Sequence, residues 1–185
     1  MADSAEEKPE RLFIGVPLTD AARDAIAKAL PRTLPGKLVP PENWHFTLRF
    51  LGSTARDARE KMVTALRAAS YPKRFEISFN GLGAFPSARR ARILWLGADR
   101  GADKLGMLAT IAEQGARSAG FTPEARAFTA HLTLSRIDPL VSVAALVTSK
   151  PRFNIPMRVD RIVLFRSRLG GGPARYEEVE TFTLP

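Results

Sequence analysis

His45-Phe46-Thr47-Leu48, inside residues 43–52 (NWHFTLRFLG), recurs 86 residues later as His131-Leu132-Thr133-Leu134, inside residues 128–136 (FTAHLTLSR). The chain has two histidines, and both belong to this repeated tetrad. With 12 Thr and 20 Leu among 185 residues, a chance repeat has a probability on the order of one in a hundred. A lone histidine on a half-buried strand is ordinarily structural; the repeat favours a shared task. On a strand, residues i and i+2 project from one face. His45 with Thr47, and His131 with Thr133, therefore each set an imidazole beside a hydroxyl. Phe46, Leu48, Leu132 and Leu134 point the other way and supply a core face.

Outward from the first tetrad, residues 11–16 (RLFIGV) read as a strand ended by Pro17, and Thr19 as the cap of a helix with Ala22, Ile26 and Ala29 at helical spacing. Pro31, Pro35, Gly36, Pro40 and Pro41 mark a loop before the histidine strand at 44–51. Thr54-x-x-Asp57 resembles a capping box before Met62, Leu66 and Ala69, and residues 75–82 read as a strand ended by the breakers Gly83 to Pro86. The order then repeats: a strand at 92–96, a helix at 104–119, a histidine strand at 126–136 and a helix from Asp138-Pro139 through about Val147. Strands at 151–159, 161–167 and 176–184 close the chain, the last two joined by a Gly170-Gly171-Gly172 turn. Strand, helix, histidine strand, helix, strand thus occurs twice, which predicts α+β or α/β and excludes a solenoid.

A chain of 185 residues is the size of one domain and can bury about 70% of its unfolded surface. Its apolar content of 45% and charged content of 25% exclude disordered and fibrous classes. The absence of cysteine excludes disulfides, thiolate metal sites and cysteine nucleophiles. The net charge of +9, from 21 Arg and 7 Lys against 19 acids, favours phosphate-bearing partners. Residues 1–10 are acidic and read as a disordered tail, leaving 11–185 as a single domain of two pseudo-symmetric lobes. The opening lacks the pattern of a secretory signal, and the longest apolar run, Ile93-Leu94-Trp95-Leu96, falls well short of the roughly 18 residues of a membrane span. A cytoplasmic monomer without membrane contact is expected.

Two imidazoles with pKa near 6.5 can hold one neutral and one protonated ring at pH 7. In-line attack at phosphorus needs that combination: a base for the attacking oxygen and an acid for the departing one. The threonine hydroxyls can donate to the non-bridging oxygens, where charge builds up. Two histidines are too few for a zinc site unless carboxylates help, and Glu42 offers no recognised metal spacing. Neither a metal nor another cofactor is expected.

The paired tetrads resemble those of the 2H phosphoesterase superfamily, and within it the chain is similar to the RNA 2′,3′-cyclic phosphodiesterases, also called 2′-5′ RNA ligase-like proteins. The resemblance runs through RLFIGVPL (11–18), NWHFTLRFLG (43–52), GLGAFPSARRARILWLG (81–97), FTAHLTLSR (128–136) and SRLGGGPARY (167–176). One departure is Ala130, where relatives often have proline. The resemblance implies a bilobal α+β fold, a pseudo-two-fold duplication with two antiparallel sheets flanking a central cleft and helices outside. It implies hydrolysis of an RNA 2′,3′-cyclic phosphate, or of a small cyclic nucleotide, to a 2′-phosphate. By the same carry-over His45 is the proton donor, His131 the proton acceptor, and Thr47 and Thr133 hold the phosphate. The residues alone leave the two histidine roles interchangeable.

Arg136 fits the arginine that commonly follows the second tetrad, although five residues from His131 an ideal strand points it away from the cleft; a bulge would re-aim it. Arg49, four residues after His45, has cleft parity and is the alternative phosphate partner. Gly81-x-Gly83 leads into no helix, the three glycines at 170–172 read as a hairpin loop, and Arg89, Arg90 and Arg92 read as a solvated cluster. Trp44 and Phe46 alternate against His45 and are expected in the core. Two other readings remain open: 2′-5′ ligation at the same site, and an RNA-end binding module without turnover.

Overall fold

The computed structural model describes residues 8–149 and 153–185. In chain order they form β1 (Glu10–Pro17), α1 (Asp20–Ala29), β2 (Lys37–Leu38), β3 (His45–Thr54), α2 (Arg56–Arg67), β4 (Phe75–Ser87) and β5 (Arg90–Ala98). There follow α3 (Ala102–Ser118), β6 (His131–Val141), α4 (Ala144–Thr148), β7 (Ile155–Val159), β8 (Arg161–Arg168) and β9 (Arg175–Thr183). A single 3-10 turn, Pro41–Asn43, leads into β3. The α+β class follows from this order, and every strand pairing is antiparallel.

The sheet order is β7-β4-β5-β6-β3-β1-β8-β9, with β2 added to β6. Two four-stranded halves meet where β6 touches β3, through the backbone pair Phe46↔Leu132. The two expected sheets are thus continuous at one joint. Across it the order is symmetric: β3 matches β6, β1 matches β5, β8 matches β4 and β9 matches β7. The half built on β6 takes β4 from the N-terminal part of the chain and the half built on β3 takes β8 and β9 from the C-terminal part, which locks the lobes together. Phe46 and Leu132 are fully buried at the joint, where Phe46 stacks on Phe79 of β4 at 5.4 Å between ring centroids.

Helix formation follows the sequence patterns closely at α1 and α3. Thr19 caps α1 by accepting from the Ala22 amide at 3.3 Å, and Ala22 and Ile26 are buried while Ala29 is exposed. Leu105, Leu108 and Ala112 bury one face of α3, and Gly115 lets α3 approach Leu66 of α2 more closely than a side chain would permit.

Four expectations are corrected. Thr54 does not cap α2: its hydroxyl donates to the Gly52 carbonyl at 3.1 Å, and Ala55 takes the cap position with no side-chain bond. Gly83 to Pro86 do not end a strand; β4 runs on to Ser87, because Gly83 serves close packing beneath the Trp95 ring, where a Cβ would lie 2.1 Å from Trp95 Cζ2. Asp138-Pro139 opens no helix, since β6 continues to Val141 and the helix is the short α4. Residues 126–130 precede β6 rather than belonging to it. Of the tail read at 1–10, residues 1–7 lie outside the described residues, as do 151–152 of the strand read at 151–159. Glu10 already pairs with Thr54 in β1, and Arg59 and Arg166 hold its carboxylate.

Candidate active site

Both tetrads open their strands at the joint between the halves. Among the described residues β3 and β6 pair antiparallel at Phe46↔Leu132 alone, so His45 and Thr47 of one strand and His131 and Thr133 of the other flank that joint. Two imidazoles and two hydroxyls therefore share one face of the sheet, opposite the buried Phe46, Leu48, Leu132 and Leu134.

The imidazoles are held in the same way. His45 Nδ1 lies 2.8 Å from the Asn43 carbonyl, and His131 Nδ1 lies 2.8 Å from the Thr129 carbonyl. A carbonyl can only accept, so each Nδ1 carries the proton and donates it, leaving each Nε2 for chemistry. His45 Nε2 accepts from the Thr47 hydroxyl at 3.0 Å.

Their surroundings differ. His45 packs against Phe13 at 4.6 Å, Tyr176 at 5.2 Å and Phe165 at 6.1 Å between ring centroids. His131 meets Phe85 edge-on at 5.1 Å and Trp95 at 6.3 Å. Burial pushes the His45 pKa down to about 4, against the bond to Asn43, which raises it; the charges of His131 and Arg136 lower it further. His45 is therefore neutral at pH 7 in the free protein, below the unperturbed value its sequence predicts.

One extra residue in each histidine strand decides the fate of the two candidate arginines. On β3, Thr47 pairs with Gly15 and Arg49 with Ile14, so Leu48 is inserted. On β6, Thr133 pairs with Trp95 and Ser135 with Leu94, so Leu134 is inserted. The fourth residue of each tetrad is thus a bulge, and alternation flips beyond it. Arg136 is turned toward the cleft by this means, next to the cavity that His45, Thr47 and Thr133 line. Arg49 is turned out of it, correcting its expected cleft parity. Its Nε donates to Glu113 on α3 at 2.6 Å and its guanidinium also donates to the Thr122 carbonyl. Ser135, the counterpart of Arg49, is fully buried. Phe50, the counterpart of Arg136, faces the cleft and is 44% exposed.

The cavity has a volume of about 450 Å³. Besides the histidine and threonines it is lined by Phe50, Arg11, Lys37 and Leu38, and is rimmed by Leu169, Gly172, Pro173 and Ala174 of the β8–β9 loop. The three glycines at 170–172 lie in the loop of the β8–β9 hairpin, whose Gly172 reaches the cavity and which is tied down by Asn43 Nδ2 donating to the Ala174 carbonyl at 2.6 Å. His131 is not among the residues lining this cavity; it flanks the cavity on the β6 side. Trp44 is buried, as expected. Phe50, Lys37 and the aromatic neighbours were not singled out from the sequence for the site. The bulge hides the parity of Phe50, and the rings are brought to the histidines by β8, β9 and β4, which are distant in sequence.

Among the described residues no group of three or more His, Cys, Asp or Glu side chains converges to hold a metal ion, and no helix is long and apolar enough to cross a membrane.

A symmetric α+β fold with matched His-x-Thr-Leu strands at its centre defines a 2H phosphoesterase. The description LigT like Phosphoesterase matches the chain twice, over residues 16–95 and 96–174, one match for each tetrad. The chain belongs to this family. It is 38% identical over 125 residues to an RNA 2′,3′-cyclic phosphodiesterase of Aeropyrum pernix, covering 68% of this chain and 69% of the relative. It is 31% identical over 185 residues to one of Methanothermobacter thermautotrophicus, covering 94% and 98%. E. coli LigT, crystallised in complex with 3′-AMP, matches with a TM-score of 0.80 at 26% identity over 96% of this chain and 99% of that one.

Proposed function

We propose that the protein hydrolyses the 2′,3′-cyclic phosphate of an RNA end to a 2′-phosphomonoester, by acid–base catalysis between His45 and His131. The relatives' names support the substrate class. The observation that carries the mechanism is the pair of imidazoles anchored alike through Nδ1, which leaves each Nε2 for proton transfer, that of His45 accepting from the Thr47 hydroxyl.

The asymmetry of the cleft orients the reaction. The cavity, with the exposed ring of Phe50 as a stacking surface for a base, lies on the His45 side. A nucleoside bound there presents its 3′-oxygen toward His45 and leaves the opposite side of phosphorus open toward His131. His131 Nε2 then takes a proton from water as its oxygen attacks phosphorus. The P–O3′ bond breaks, and His45 Nε2 gives its proton to the departing O3′. Thr47, Thr133 and Arg136 stabilise the charge on the non-bridging oxygens. His45 is neutral in the free protein, so its acid role requires the diester anion, whose negative charge offsets that of Arg136 and raises its pKa.

The test is turnover, with EDTA present, of a short RNA ending in a 2′,3′-cyclic phosphate. His45→Ala and His131→Ala are each expected to lower kcat by about 10³-fold. A substrate whose bridging 3′-oxygen is replaced by sulfur needs no acid at its leaving group, so it should rescue His45→Ala and not His131→Ala. Rescue of His131→Ala instead would reverse the two roles, and binding without turnover by the unaltered protein would refute the activity.

A further inference from the structure

We propose that Lys37, with Arg11 facing it across the cavity, forms a second phosphate subsite that takes the internucleotide phosphate preceding the terminal cyclic phosphate. The enzyme would thereby select an RNA end of at least two nucleotides over a cyclic mononucleotide. The inference rests on the phosphodiesterase reading above and extends it to substrate length.

The first observation is a surplus of positive charge. Arg11, Lys37 and Arg136 all line the cavity, and no carboxylate does. Among the described residues none of these three has an ion-pair partner, although most of the protein's other arginines do. One cyclic phosphodiester carries a single negative charge, and two imidazoles, two hydroxyls and Arg136 already surround its position. Two further cations at the same cavity match a second anion.

The second observation is how Lys37 is fixed there. Lys37 pairs with Arg136 in the β2·β6 register, and antiparallel partners project from the same face. Two like charges directly opposite one another repel, which is unfavourable unless an anion lies between or beside them. The fold nevertheless enforces the contact. Gly36 has φ +82°, and a Cβ there would lie 2.4 Å from the Arg136 carbonyl oxygen, so only glycine lets β2 dock so closely. The Val39 amide donates to the Leu134 carbonyl at 2.8 Å, and the Trp44 indole donates to the Val39 carbonyl at 3.0 Å. The segment bearing Lys37 is thus fastened at three points beside the catalytic strand.

On the far wall, the Arg11 guanidinium lies 4.8 Å from the centre of the Phe50 ring. Arg11 therefore covers one face of the Phe50 ring, and a base stacked on the other face leaves the guanidinium available to the phosphate of the preceding nucleotide. Leu38 and Leu169, 55% and 70% exposed, line the same cavity and give the penultimate nucleoside apolar contact.

The test compares a dinucleotide ending in a 2′,3′-cyclic phosphate with a 2′,3′-cyclic mononucleotide, each on the unaltered protein, Lys37→Gln, Arg11→Gln and Lys37→Arg. The unaltered protein should favour the dinucleotide through KM. Lys37→Gln should reduce that preference on the order of fivefold, and Lys37→Arg should retain it. The salt dependence of dinucleotide binding should fall by about 0.7 in logarithmic slope for each cation removed. Equal losses on both substrates would overturn the proposal by assigning Lys37 to the terminal phosphate, as would no change in either. Binding of a dinucleotide 3′-phosphate against 3′-AMP reads the subsite without turnover. A preserved, Lys37-dependent difference in an inactive protein would therefore refute the phosphodiesterase reading and leave the subsite standing.

Discussion

The strands that carry His45 and His131 are alike in how they present their histidine and threonine and unlike in what surrounds them. Both begin on the histidine, both anchor Nδ1 on the carbonyl two residues earlier, and both bulge at the fourth residue of the tetrad. At equivalent positions, however, Phe50 stands against Arg136, and Gly15, beside Thr47, stands against Trp95, beside Thr133. A duplicated strand thus supplies a symmetric centre, and divergence at flanking positions gives it direction. The His45 side has an open cavity and the exposed ring of Phe50. On the His131 side the imidazole meets Phe85 and Trp95 edge-on instead.

The sharpest way to break this comparison is to exploit the shared bulge. Arg136→Gln should lower kcat/KM on a cyclic phosphate on the order of a hundredfold, because it removes a cation from the developing charge, while leaving the urea midpoint nearly unchanged. Arg49→Gln should do the reverse. It leaves Glu113 without its main partner and should cost about 2 kcal/mol of stability, discounted for partial solvent access, with little loss of turnover. If Arg49→Gln instead abolished activity in a stable protein, the parity flip at Leu48 would be wrong.

Next in size is a dependence on pH that belongs to the His45 side. In the unfolded chain His45 titrates near 6.5, and in the folded protein near 4. The unfolded state therefore binds more protons between these values. The stabilising contribution is complete above about 6.5 and is lost as pH falls toward 4, with a total of about 2 kcal/mol once solvent access is allowed for. The difference in urea stability between the unaltered protein and His45→Gln, followed from pH 7.5 to 4, measures it. Inorganic phosphate should raise the pH at which the His45 ring titrates by NMR. A ring that titrates near 6.5 with or without phosphate would remove the desolvation argument.

What the sequence made legible was whatever depends on local spacing. The tetrads, their two-residue alternation and the duplicated element order all follow from periods of 2 and 3.6, and all reappear in the fold. What it hid depends on register and on partners far along the chain. Arg49 looked cleft-facing and Arg136 did not, because a one-residue insertion is invisible until Leu48 and Leu134 are seen without partners on the neighbouring strands. Gly83 looked like a breaker because its role, making space for the Trp95 ring, involves a residue 12 positions away on another strand. The depressed His45 pKa arises from Phe13, Phe165 and Tyr176, which only the sheet order brings together.

The smallest expected effect separates the two anchors. Each imidazole is held by the backbone carbonyl of the residue two before it, so the side chains of Asn43 and Thr129 are free to differ, and they do: Asn43 is buried and Thr129 exposed. Thr129→Ala should leave both stability and kcat close to those of the unaltered protein. Asn43→Ala keeps the carbonyl that orients His45 but releases the Ala174 carbonyl, and with it the loop at the cavity mouth. A loss of about 1 kcal/mol in stability is expected. Turnover should suffer through KM rather than kcat, because the loop lines the nucleoside cavity and does not touch the imidazole. Equal, small effects on both sides would mean that the β8–β9 loop contributes nothing to substrate binding. A fall in kcat with Asn43→Ala would mean that the loop also keeps the His45 ring in place, and the likeness of the two anchors would then end at the backbone.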